Sequence, residues 1–99
     1  MIREIFIVSK ETELGKIDNI KFGLGGRDDS DMGLSVTLTG KGWGVSDFKY
    51  STSPDFYTHL KILLTKAKVL HIDQLKNIPV EATFENKLLR SWRILEEVL

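Results

Sequence analysis

Residues 34–44 read Leu-Ser-Val-Thr-Leu-Thr-Gly-Lys-Gly-Trp-Gly. The first six alternate apolar Leu34, Val36 and Leu38 with hydroxylated Ser35, Thr37 and Thr39. That two-residue period marks a strand with one buried face, and the β-branched residues favour it further. The alternation then runs into Gly40-Lys41-Gly42-Trp43-Gly44. Here the bare backbone predicts either a sheet bulge plugged by one aromatic ring or a contact surface built around Trp43. Residues 42–50 read as a further strand, with Trp43 and Val45 on one face and Phe48 and Tyr50 on the other, a pattern that predicts a bulge near the glycines.

Upstream, residues 25–33 form a loop, opened by Gly25-Gly26, filled by Asp28, Asp29, Ser30 and Asp31, and closed by Gly33. Before it, residues 16–24 read as a strand with broken alternation around Ile17 and Phe22. Glu11 to Gly15 is polar and turn-like, and Ile2 to Ser9 is rich in β-branched residues, so another strand is expected there. Downstream, Ser53-Pro54-Asp55 predicts a helix start, with Ser53 as cap, Pro54 at the first position and Asp55 facing the positive end of the dipole. Phe56, Leu60, Leu63, Leu64 and Ala67 then recur at helical spacing to about Lys68. A short helical turn anchored by Leu70, Ile72 and Leu75 follows. Residues 80–84 and 88–95 read as a hairpin turning at Asn86-Lys87, the second strand carrying Leu89, Ser91 or Trp92, and Ile94.

The order is ββββ-α-ββ. The expected fold is a single α+β domain over residues 1–99, an antiparallel sheet of about five to six strands with one main helix packed on one face. The expected core is Ile7, Phe22, Leu34, Val36, Leu38, Phe56, Leu60, Leu63, Leu64, Val80, Ala82, Phe84 and Ile94.

Chain length and composition bound the function. Ninety-nine residues, 41% hydrophobic and 28% charged, fit one small folded core. Fourteen basic residues balance fourteen acidic ones, so no global field attracts nucleic acid or an anionic membrane. The absence of cysteine excludes disulfides and thiolate metal sites. The N-terminal apolar stretch is too short for a signal peptide, and no run approaches membrane-spanning length, so a cytoplasmic protein with no membrane association is expected.

Catalytic patterns are weak. Asp28, Asp29 and Asp31 lack the glycine and glutamate spacing of a calcium loop. Gly23-Leu24-Gly25-Gly26 is followed by aspartates rather than a helix start, which disfavours a phosphate loop. His59 and His71 have no legible catalytic partners. The expectation is a non-enzyme with no cofactor and no metal. Two basic-aromatic groupings remain: Trp43, Phe48 and Tyr50 with Lys41 and Lys49, and Trp92 flanked by Arg90 and Arg93. Either could anchor a protein partner or stack single-stranded nucleic acid, the latter opposed by the zero net charge. Open sheet edges could also pair with a second copy of the chain.

Residues 17–23, Met32-Gly33-Leu34-Ser35-Val36, residues 40–45, the helix, and Leu75-Lys76-Asn77-Ile78-Pro79-Val80-Glu81-Ala82 together resemble a group of short phage and prophage-encoded proteins of unknown function. The likeness spans roughly residues 15–95. Asn77 stands where that group usually has glycine, and residues 1–14 look like an added strand. The resemblance implies a mobile-element origin and a small accessory protein that binds a host or phage protein, inhibition of a host defence system being one such role. It assigns no site residues.

Overall fold

The computed structural model describes residues 10–99. Five strands form one antiparallel sheet: β1 (Lys10–Gly25), β2 (Asp31–Gly40), β3 (Trp43–Tyr50), β4 (Pro79–Glu85) and β5 (Leu88–Ile94), in the order β3-β2-β1-β4-β5. Helix α1 (Phe56–Ala67) connects β3 to a 3₁₀ turn at Ile72–Leu75 and then to β4; a second 3₁₀ turn covers Glu96–Val98. The α+β architecture with one main helix is the one expected from the sequence. The strand anticipated at Ile2 to Ser9, with core residue Ile7, lies outside the described residues.

β1 is the central strand and departs most from the sequence reading. Glu11 to Gly15 is not a turn but the first part of β1, pairing with β4 from Lys10↔Glu85 to Lys16↔Pro79. The polar composition misleads because Glu11 and Glu13, although on the face of Phe84 and Ala82, remain exposed. Further along, the pairing with β2 shifts between Ile17 and Asn19, leaving Asp18 as an extra residue. This bulge puts both Ile17 and Ile20 on the inner face, opposite Leu38 and Val36, and accounts for the broken alternation.

The bulge expected near Gly40–Gly44 is absent. β2 and β3 pair without interruption from Gly33↔Tyr50 to Gly40↔Trp43, joined by a tight turn at Lys41-Gly42 in which Gly42 takes φ +78°. Simple alternation puts Trp43 and Val45 inside and Phe48 and Tyr50 outside. A second bulge occurs in β5, where Phe84 pairs with Leu89 and Thr83 with Ser91, leaving Arg90 unpaired. It brings Leu89, Trp92 and Ile94 to one face, which resolves the choice between Ser91 and Trp92.

The core consists of Ile17, Leu34, Val36, Leu38, Phe56, Leu63, Ala67, Leu75, Val80, Ala82 and Ile94. Leu60, Leu64 and Phe84 from the expected core are half-buried against it. Phe22 is half exposed, because it sits near the far end of the β1–β2 hairpin. Ile17 and Leu75 are fully buried, whereas Leu70, an expected anchor, is exposed.

The helix starts two residues later than expected. Asp55 is the N-cap residue without a side-chain capping bond, and Ser53 closes a preceding turn through its carbonyl, which accepts from the Phe56 N–H at 3.0 Å. The helix ends where Lys68 takes φ +60°, a left-handed cap in which glycine is more usual, with Val69 N–H bonding back to Leu64 at 3.1 Å.

Candidate functional site

The sheet curls until its two edge strands meet. Trp92 on β5 donates its indole N–H to the Asp47 carboxylate on β3 at 2.9 Å. Both side chains are on the inner face, so this bond closes the sheet around the core rather than exposing Trp92 as a flat platform. Trp43 also points inward. Its ring lies over the bare backbone of Gly15, where an added Cβ would come within 2.8 Å of the indole, and meets Phe84 edge-on with centroids 5.2 Å apart. Its ring nitrogen is buried and has no hydrogen-bond partner among the described residues.

The residues expected to form two basic-aromatic patches therefore separate. Lys49 faces inward and binds Asp55 at 3.0 Å, tying β3 to the start of α1. That bond holds the Asp55 carboxyl below its ordinary range. Arg93 forms a two-pronged pair with Glu97, at 3.0 and 3.1 Å, and also reaches Glu81 at 3.2 Å. The Arg93 guanidinium is held more firmly protonated and the Glu97 carboxyl is pushed down. Arg90 sits 3.6 Å from Glu85. Lys41 is exposed at the β2–β3 turn, away from the other cations in sequence and on a different strand end.

Phe48 and Tyr50 do stay together, on the outer face, with ring centroids 5.0 Å apart in an edge-on arrangement. They border a groove of about 720 Å³ at the far end of β1, β2 and β3. Lys21, Ser35 and Arg27 also line it, as do Gly23, Gly25 and Gly33. Two of these glycines have a packing reason. A Cβ on Gly33 or Gly25 would come 2.5 or 2.6 Å from the Phe48 ring. Gly23 has none: a Cβ there would meet no atom within 4 Å. A glycine within a strand that packing does not require marks a place where another chain or ligand can approach the backbone closely.

Around the same hairpin end, on the inner face, Leu24 is paired with Met32 and is 70% exposed; Met32 is 44% exposed, and Phe22, with its ring 5.9 Å from that of Phe56 at the start of α1, is 50% exposed. With Tyr50 at 40%, these large side chains gather at one end of the molecule. Phe22 is expected in the core and is half exposed, while the sequence reading assigns Leu24 no role and puts Met32 in the 25–33 loop, so neither is singled out as a surface residue. Gly23 draws notice only as the start of the Gly23-Leu24-Gly25-Gly26 stretch, read as a turn, whereas it lies within β1.

Other chemistry is sparse. Among the described residues no group of three His, Asp or Glu side chains is arranged to hold a metal ion. His59 lies on α1 and His71 precedes the 3₁₀ turn, where the Gln74 side chain accepts from the N–H groups of Leu70 and His71. No described helix is long and apolar enough to cross a membrane. Comparison with protein-family models, curated proteins and solved structures finds no match to this chain.

Proposed function

We propose that this chain is a non-catalytic protein-binding module, a small phage or prophage accessory protein that docks on a host or phage protein in the cytoplasm. Inhibition of a host defence system is the role this proposal favours. The observation that carries it is the concentration of exposed Phe22, Leu24, Met32 and Tyr50 at one hairpin end, beside a groove in which the backbone lies open at Gly23. Aromatic and large apolar side chains of this kind anchor protein interfaces, and a protein partner can lay its own chain against the open backbone at Gly23. The mixed charges at the groove, Lys21 and Arg27 with Asp29, suit a protein surface better than a polyanion. Single-stranded nucleic acid is the weaker reading, because Lys49, Arg90 and Arg93 already face carboxylates.

The test is affinity capture from host-cell lysate with tagged wild type and a Leu24→Asp/Met32→Asp variant, each with and without nuclease. The proposal expects one dominant protein that survives nuclease and is lost with the variant. Capture abolished by nuclease would replace it with the nucleic-acid reading.

A further inference from the structure

β1 is paired along only part of each side. Its first half, from Lys10 to Lys16, bonds to β4, and its second half, from Gly15 to Gly25, bonds to β2. On the β4 side the last contacts are the Ile17 N–H to the Ile78 carbonyl at 3.0 Å and the Asn77 N–H to the Ile17 carbonyl at 2.7 Å. Past them that side of β1 is an open edge. The Ser51 N–H donates to the Met32 carbonyl at 2.9 Å, so even-numbered residues of β2 face β3. Gly33, Ser35 and Thr37 therefore bond to Gly23, Lys21 and Asn19. Ile20, Phe22 and Leu24 turn their N–H and C=O groups the other way, the extra residue Asp18 having moved the outward set from Ile17 to even positions. Among the described residues none of these groups has a backbone partner.

The side chains along this edge suit an added strand on both faces. On the inner face Phe22 and Leu24 are at least half exposed; the Phe22 ring lies 5.9 Å from that of Phe56, which lies 5.3 Å from that of the exposed Tyr57. On the outer face Gly23 leaves open space, and Lys21 is exposed with no carboxylate partner among the described residues. Residues 20–24 contain no proline and no inward-pointing charge, the devices that commonly block an edge.

We infer that the protein partner adds an extended segment of its own chain to this edge, antiparallel like every other pairing in the sheet. The inference rests on the protein-binding reading above and names its mode. Each outward N–H and C=O of Ile20, Phe22 and Leu24 then gains a partner. Partner residues opposite Phe22 and Leu24 lie on the inner face and are apolar. Between them, a bulky residue opposite Gly23 enters the outer groove, and the residue opposite Lys21 is an aspartate or glutamate. The occupant is thus a strand that alternates apolar residues with a carboxylate. A second copy of this chain lacks that pattern: pairing about Phe22 or Gly23 sets a glycine opposite Lys21, and pairing about Lys21 sets two lysines face to face.

NMR of the isotope-labelled full chain, titrated into the millimolar range with the synthetic peptide acetyl-Ser-Val-Tyr-Val-Glu-Val-Ser-amide, tests the pairing. Its valines face Leu24, Phe22 and Ile20. Exchange of the Ile20, Phe22 and Leu24 amides is expected to be fast in the free chain and to slow by about tenfold or more with peptide bound, while Lys21 and Gly23 change little. The same peptide N-methylated at its central valine keeps every side chain and loses the bond to Phe22; it is expected to bind at least about tenfold more weakly. Leu24→Pro removes an outward N–H that β2 does not use and is expected to weaken the unmethylated peptide about as much. Equal binding of the methylated peptide, or no response of residues 20–24 to either, would overturn the inference. So would amides already protected in the free chain: protection independent of concentration means that the chain's own residues cover the edge, and protection rising with concentration means that a second copy does. Lysate capture separates this inference from the reading beneath it. Partner lost with Leu24→Asp but kept with Leu24→Pro removes strand addition and leaves the contact surface, whereas partner kept with both removes the two together.

Discussion

Trp92 on β5 and Asp47 on β3 are joined by a 2.9 Å hydrogen bond between the two edge strands of the sheet. Among the described residues no backbone ladder links these strands, and this side-chain bond ties them directly. Asp47→Ala leaves the half-buried indole N–H without an acceptor, and an unpaired polar group of this kind costs about 1–3 kcal/mol. Asp47→Asn keeps an oxygen in place and is expected to cost less. Urea unfolding of both variants checks the order; equal stability of Asp47→Ala and wild type would mean the tie contributes nothing.

Trp43 is a packing residue on the inner face. Trp43→Ala is expected to lower unfolding stability by about 2–3 kcal/mol, somewhat under the value for a fully buried aromatic. Gly15→Ala attacks the same contact from the other side, because its Cβ would fall 2.8 Å from the indole, and it would also collide with the Thr39 carbonyl oxygen. Overpacking there is expected to cost about 1–3 kcal/mol. Denaturation curves with tryptophan fluorescence read both, and a stable Gly15→Ala would show that β1 can shift away from both the Thr39 carbonyl and the indole.

Gly23 separates stability from binding. Strand-interior glycine is unfavourable by roughly 0.5–1 kcal/mol, and nothing crowds a side chain at this position. Gly23→Val is therefore expected to fold at least as stably as wild type while filling the groove at this position. A thermal melt paired with partner capture checks this. A stable variant with unchanged capture would remove the groove from the contact surface.

Two lysines occupy left-handed backbone, Lys68 at φ +60° and Lys87 at φ +67°. Lys87 follows Asn86, also at positive φ, in the β4–β5 turn, where Asn-Gly is the favoured pair. Lys68→Gly and Lys87→Gly are each expected to stabilise the chain by up to about 1 kcal/mol through relief of the Cβ clash. Calorimetric melting points that fall instead would show that the lysine side chains contribute more than the backbone strain costs.

Acid acts on the exposed ion pairs. Lys49 depresses the Asp55 carboxyl and Arg93 depresses that of Glu97. Groups lowered on folding contribute stability above their unfolded-state values and lose it as pH falls through the folded ones. NMR titration of the carboxyl carbons should place both midpoints below those of the same residues in the unfolded chain. Lys49→Ala should return Asp55 upward and leave Glu97 where it is. Exposure and salt screening keep the effect on stability small.

Local signals carried much of the fold. The alternation in β2, the helical spacing from Phe56 to Ala67 and the Asn86-Lys87 turn each belong to a few adjacent residues, so the sequence exposes them. β1 was harder to read, because its polar first half looks like a turn and the Asp18 bulge reverses its faces midway. The long-range arrangement left no local mark. Trp92 and Asp47 are 45 positions apart, and nothing near either residue announces the bond. The candidate surface was half legible: Phe48 and Tyr50 stood out, while Leu24 and Met32 lie at a strand end and in what reads as a loop, where no local pattern marks an exposed apolar pair. Asn77 takes φ +70°, a conformation that suits glycine or asparagine.

The most direct measurement is the amount of protein partner captured from nuclease-treated host-cell lysate by wild type and by Leu24→Asp, quantified by mass spectrometry on material shown to be folded by circular dichroism. Leu24 is exposed, so the substitution is expected to leave the fold intact. The account predicts one dominant partner on wild type and a loss of at least about tenfold on the variant, the effect expected of a charge placed in an apolar interface centre. Equal capture by the two proteins would contradict the claim that the hairpin end is the contact surface.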